Sequence, residues 1–176
     1  MKKKISISLE IPKSIKNKTK NLQKLLSREL NIKNYMLNNP VTHINIISGE
    51  IDEKKLKYVY QFKYPKNKTL EVEFLGIGIF VVGNGDNILY SRFAYNKLIK
   101  NLRNVLFKKF KKLFITIDKT AEDEMWIPKS TIAMRDFKNS KVSRAINLIK
   151  KTDILKKNEK SKFLIVLDYT EKEKIV

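Results

Sequence analysis

The residues best placed to do chemistry in this chain are cations at helical spacing. Lys97, Lys100, Arg103, Lys108, Lys111 and Lys112 recur through a stretch, residues 88–117, that contains no acidic residue. Lys16, Lys20, Lys24 and Arg28 follow one another at four-residue steps, and Lys141 and Arg144 lie near a third helical segment. Surface helices ordinarily mix signs, because i,i+4 Glu–Lys pairs stabilise them. Lysines that only repel one another call for an outside partner. The chemistry they offer is neutralisation of a polyanion, phosphate above all. A lysine face that is simply solvated is the competing reading.

The other reactive groups form no comparable pattern. Glu71 and Glu73 share a strand face and suit cross-strand pairing with lysines. Asp118, Glu122, Asp123 and Glu124 cluster in sequence, and Asp168 ends an apolar run. A metal-dependent nuclease needs carboxylates converging on Mg²⁺, and this spacing gives no such signature. His43 is the only histidine and has no serine or cysteine motif that would make it a base. Gly76-Ile77-Gly78 lacks the third glycine and following helix of a dinucleotide site. With no cysteine there is neither a disulfide nor a thiolate metal site. No cofactor, metal or catalytic residue is expected, and the reading is of a non-enzyme.

Composition supports the polyanion. Lys+Arg number 38 against 18 Asp+Glu, a formal net charge of +20. A charge that large opposes its own compact state, so it points to a partner; nucleic acid is the commonest. Lysine is far in excess of arginine and asparagine is frequent, a bias that an AT-rich genome also produces. Hydrophobic residues make up 42% of the 176, enough for a core and too many for a disordered tail. The start, MKKKISISLEIPKS, has basic residues without a long apolar run behind them, so no signal peptide is expected, nor a membrane span. A cytoplasmic location, or an intracellular one in a host if the protein is viral, fits these features.

The elements that must hold the cations follow from periodicity. Ile5, Ile7, Leu9 and Ile11 alternate with Ser6, Ser8 and Glu10, a strand with one wet face that ends at Pro12. Ser14 caps a helix with Ile15, Leu22, Leu25, Leu26 and Leu30 inward. Val41 to Ile51 is a strand. Leu56, Tyr58, Tyr60, Phe62 and Tyr64 alternate with Lys57, Val59, Gln61 and Lys63, which predicts another strand. Its aromatic row suits either core packing or the stacking of RNA bases. Leu70 to Val82 returns as its partner, with Gly76 and Gly78 marking a bulge or close approach. The helix within 88–112 turns Tyr95, Leu98, Ile99, Leu102, Val105, Leu106 and Phe110 inward and its cations outward. Leu113 to Ile117 is a short strand. Beyond Asp118, Trp126 covers a core edge or anchors a partner. Ser140 opens a helix with Val142, Ala145, Ile146 and Ile149 inward, and Phe163 to Leu167 is a last strand. The fold class is α+β, an antiparallel sheet packed on one side by two or three amphipathic helices. One domain spans 1–176, with a core of 1–118 and a helix–strand elaboration from 119 to 176.

Between Leu56 and Ala94, Glu73 is followed by Gly78-Ile79-Phe80, and Asn87-Ile88-Leu89-Tyr90 stands where a helix would open. This segment resembles part of the SecB-type export chaperone fold over residues 56–94. The resemblance implies two long antiparallel strands followed by a helix beginning at Asn87–Tyr90. Ser91-Arg92-Phe93 replaces that family's proline and arginine, and the chain is basic where the family is acidic.

The expected function is therefore non-catalytic nucleic-acid binding, RNA rather than DNA, possible membership of a ribonucleoprotein particle included. About six phosphate contacts at roughly 0.9 each give a salt slope near −5 on duplex. The alternatives are a SecB-like polypeptide binder or a phage- or plasmid-encoded inhibitor that docks on a protein, and then a metal-dependent nuclease.

Overall fold

The computed structural model describes residues 1–38, 42–62, 70–81, 85–122, 126–152, 154, 159–161 and 163–166. In chain order they form β1 (Lys2–Glu10), α1 (Lys13–Leu30), α2 (Asn34–Asn38), β2 (His43–Asp52), α3 (Leu56–Tyr60), β3 (Leu70–Val72) and β4 (Phe74–Phe80). There follow β5 (Ile88–Phe93), α4 (Lys97–Phe110), β6 (Phe114–Ile117), β7 (Lys129–Ala133), α5 (Val142–Lys150), β8 (Glu159–Ser161) and β9 (Phe163–Val166). The α+β class holds.

The strands make three antiparallel sheets instead of the one expected: β6-β2-β1-β9, β4-β5-β7, and the pair β3-β8. Strands β7, β8 and β9 all add to partners from the first 118 residues. The first sheet is closed on both faces, not one. Ile5, Ile7 and Leu9 join Ile44, Ile47 and Ile51 in the apolar core, yet Ser6 and Ser8 on the other face are equally buried. That polar face is covered because its hydroxyls satisfy one another. Ser6 Oγ donates to Asn45 Oδ1 at 2.9 Å and lies 2.6 Å from Ser8 Oγ. Asn45 Nδ2 donates to Ser48 Oγ (2.8 Å), which donates to Asp118 Oδ2 (2.6 Å). Trp126 donates its indole N–H to the Asn45 carbonyl at 2.6 Å and lies over this edge, buried.

Two expected elements change type. Leu56–Tyr60 is helical, not extended. Asp52 starts the turn by accepting from the Lys54 amide at 2.9 Å. Leu56, Val59 and Phe62, three residues apart, then face the core, and Tyr58 and Tyr60 stay exposed. Both periods were present in the sequence, and the capped three-residue one wins. The aromatic row therefore does not exist as a sheet face; Phe62 packs edge-on against Phe110 at 5.1 Å, and Tyr64 lies outside the described residues. Ile88–Phe93 is a strand where the resemblance implies the start of a helix, and Leu56–Tyr60 is a helix where it implies a strand. The long strand expected from Leu70 is broken at Glu73, and the register shift between Phe74 and Gly76 is the bulge foreseen there.

Gly49 carries the tightest approach. Its φ is +157°, and a Cβ there would stand 1.9 Å from the Thr116 carbonyl oxygen of β6. Backbone cannot yield as a side-chain tip can. Gly49→Ala is expected to cost more than about 3 kcal/mol in a urea unfolding curve.

Candidate nucleic-acid interface

Helix α4 begins at Asn96, whose side chain accepts from the Ile99 amide at 2.9 Å. Its buried arc is Ile99, Arg103, Leu106, Phe107 and Phe110. The expected inward set is thus half right: Tyr95, Leu98 and Val105 are more than half exposed, at 54%, 59% and 62%. Leu102 lies between, partly buried. Lys97, Lys100, Lys108, Lys109, Lys111 and Lys112 are exposed. Among the described residues none of these six is within ion-pair distance of a carboxylate. Lys100 and Lys111 rest near the Tyr95 and Phe107 rings, at 6.0 and 5.8 Å, and Lys109 lies over Phe62 at 4.3 Å.

Arg103 leaves the set. It is 1% exposed, stacks on Phe107 at 4.0 Å with Trp126 at 5.2 Å, and donates to the Ala121 carbonyl. A guanidinium tolerates such a place because it is planar, weakly hydrated and attracted to ring faces. Phosphate contact, the role expected of it, does not fit that placement.

The second set divides as well. Lys16 is half-buried and pairs with Glu10 at 3.5 Å, so its charge is neutralised at home. Lys20 and Lys24 are exposed, and Lys24 lines a groove of about 430 Å³ with Lys18, Leu22, Leu25, Arg28 and Ile154. Helices α1 and α5 lie side by side. Arg144 donates to the Glu29 carbonyl and Lys141 to that of Asn31, each at 3.4 Å. Lys141 also reaches the Asp136 carbonyl at 3.2 Å. The C-terminal end of α1 thus lies beside the start of α5, while α4 packs on β2 and β3.

A further cluster escaped sequence reasoning. On β4-β5-β7, the cross-strand pairing sets Gly78 opposite Tyr90, Tyr90 opposite Thr131, and Arg92 opposite Lys129. Tyr90 lies flat over Gly78, where a Cβ would meet its ring at 2.3 Å, and stacks on Phe80 at 4.5 Å and 25°. Lys129 Nζ stands 5.9 Å from the Phe80 ring and 3.4 Å from Thr131 Oγ1, and Arg92 is exposed. The face thus joins partly exposed Phe80, stacked on the buried Tyr90, to two cations, exposed Arg92 and half-buried Lys129. Spread over three short strands, these residues offered no linear motif; the glycine spacing was the one visible hint.

Burial holds the Lys129 ammonium below the ordinary lysine range by desolvation. The unfolded chain then binds its proton more tightly than the folded one. Stability rises with pH between the lowered value and the ordinary one. Lys129→Met removes that cost and is expected to stabilise the fold by about 1 kcal/mol at pH 7. The gain should shrink as pH climbs into the lysine range, read from thermal unfolding at several pH values.

Among the described residues no group of three or more His, Asp or Glu is arranged to hold a metal ion, and no helix is long and apolar enough to cross a membrane. His43 is buried on β2, and Glu73 is exposed. The side chains of Glu71 and Asp168, and Asp123 and Glu124, lie outside the described residues. Comparison with known proteins gives no matching family model and no matching curated relative.

Proposed function

We propose that this protein binds nucleic acid without cleaving it, RNA in preference to DNA, through phosphate contacts made by the lysines of α4 and of the turn after it. One observation carries the reading: six exposed lysines, four on α4 and two in the turn that follows it, with no internal carboxylate partner among the described residues. The chain has 18 acidic residues, and several pair elsewhere: Glu50 with Lys2, Asp118 with Lys4, Glu10 with Lys16, Glu29 with Arg28, Asp86 with Lys138. Acids were at hand, and the α4 face is left without them. Lys97, Lys100, Lys108, Lys111 and Lys112 form the primary contact set. Lys20, Lys24 and Arg144 on the α1–α5 surface form a second one.

The preference for RNA rests on single strands. Phe80, partly exposed above the buried Tyr90, offers a ring face to an unpaired base, and exposed Arg92 on the same sheet face offers a cation to its phosphate. A component of a ribonucleoprotein particle would use both features.

The test is fluorescence anisotropy with one labelled sequence made as single-stranded RNA, single-stranded DNA and duplex DNA, with and without Mg²⁺. The expected order of affinity is RNA first and duplex last, with the oligonucleotide intact after incubation. Equal binding of all three would leave only a general polyanion binder, and Mg²⁺-dependent cleavage would replace this reading by a nuclease.

A further inference from the structure

We propose that the exposed apolar edge of α4 is a docking seam for an acidic amphipathic helix of a partner protein. Helix α4 carries two apolar arcs, and only one is used by the fold. Ile99, Leu106, Phe107 and Phe110 are buried, while Leu98 and Val105 stand 59% and 62% exposed with Leu102 half-buried between them. Leu98, Leu102 and Val105 are separated by four and three residues, and Tyr95, 54% exposed, sits three residues before Leu98. A 4-3 spacing on one side of a helix is a seam that receives knobs from a second helix, and Tyr95 flanks it just before the Asn96 cap. From Leu98 to Val105 it runs about 11 Å at 1.5 Å per residue, two turns of a partner.

The charge around the seam names the occupant. Lys97, Lys108 and Lys112 border its outer side and Lys109 stands near its end, with no acidic side chain anywhere on α4. A helix with leucines at the same spacing and glutamates along one flank would bury the apolar edge and meet those lysines. A second copy of this chain would bring lysine against lysine, on top of a net charge of +20 per chain. Phosphate gains nothing from leucine and valine, so the polyanion proposed above does not cover this arc. The seam stands whether or not RNA binds the neighbouring lysines.

The test uses a labelled synthetic helix of about 18 residues, about 27 Å long, with leucines at 3-4 spacing and a glutamate flank, and a twin with lysines for glutamates. Anisotropy gives affinity. Trp126, the one tryptophan, reports location, since Tyr95 lies edge-on to it at 5.6 Å. The acidic helix is expected to bind saturably and perturb Trp126 emission, and the basic twin to bind neither. Leu98→Ala with Val105→Ala should weaken binding by about tenfold or more; both residues are exposed, and an unchanged circular dichroism spectrum checks the fold. Absence of binding at about 100 μM, or equal binding by the double variant, overturns the proposal. So does a dimer in sedimentation that the double variant dissolves, or binding to anionic phosphatidylglycerol vesicles in place of the peptide. Peptide binding without RNA binding would refute the proposed function and leave the seam intact.

Discussion

Reversing Lys97, Lys100, Lys108 and Lys111 to glutamate together is expected to abolish measurable RNA binding at physiological salt. Each lost phosphate contact removes roughly 0.7 from the log–log salt slope on a single strand, so four remove about 3. Reversal adds repulsion to that loss, and affinity should fall by more than about a hundredfold. All four are exposed and none pairs with a carboxylate among the described residues, so the melting temperature should hold or rise. Lysines on one helix that repel one another are a cost that the variant removes. Glutamine at the same four positions separates lost attraction from added repulsion: it should give the same slope change with a smaller loss of affinity. Lys16→Gln is the control within the same charge class. Its ammonium already pairs with Glu10 at 3.5 Å, and its loss should leave RNA affinity within about twofold.

Arg103→Ala is expected to do the opposite, damaging the fold and sparing the interface. Its guanidinium fills the space between Phe107 and Trp126 and satisfies the Ala121 carbonyl. Truncation leaves a cavity and an unpaired carbonyl, together about 3 kcal/mol. For a chain of this length that lowers the melting temperature by roughly 10 °C. Arg103→Met restores the volume without the donor and should cost less than alanine does. Below the transition, RNA affinity of either variant should match the parent, because the side chain does not reach the surface. Calorimetry for stability and anisotropy at low temperature for affinity separate the two roles.

How far the sequence foretold this arrangement differs by element. The alternation of Ile5, Ile7 and Leu9 and the spacing of Ile15, Leu22 and Leu26 identified a strand and a helix, because each offers one apolar face and no rival. Residues 95–110 offer two. Leu98 and Val105 are as apolar as Ile99 and Leu106, and only the tertiary neighbours decide which arc turns in. The one arginine among the lysines of α4 was a usable signal, since buried cations beside aromatic rings are preferentially arginine. Leu56–Phe62 satisfied two periods at once, and the Asp52 cap decided between them. Ser6 and Ser8 looked wet because burial of hydroxyls depends on partners, Asn45 and Ser48, some forty residues away. The Phe80–Tyr90–Lys129 face was illegible for the same reason: strand register across β4, β5 and β7 assembles it.

The polyanion reading meets its most direct test in the salt dependence of single-stranded RNA binding. Five lysines, Lys97, Lys100, Lys108, Lys111 and Lys112, at roughly 0.7 each predict a slope near −3.5 when log affinity is plotted against log salt. A slope within error of zero, or one unchanged by the glutamine variant, would contradict it.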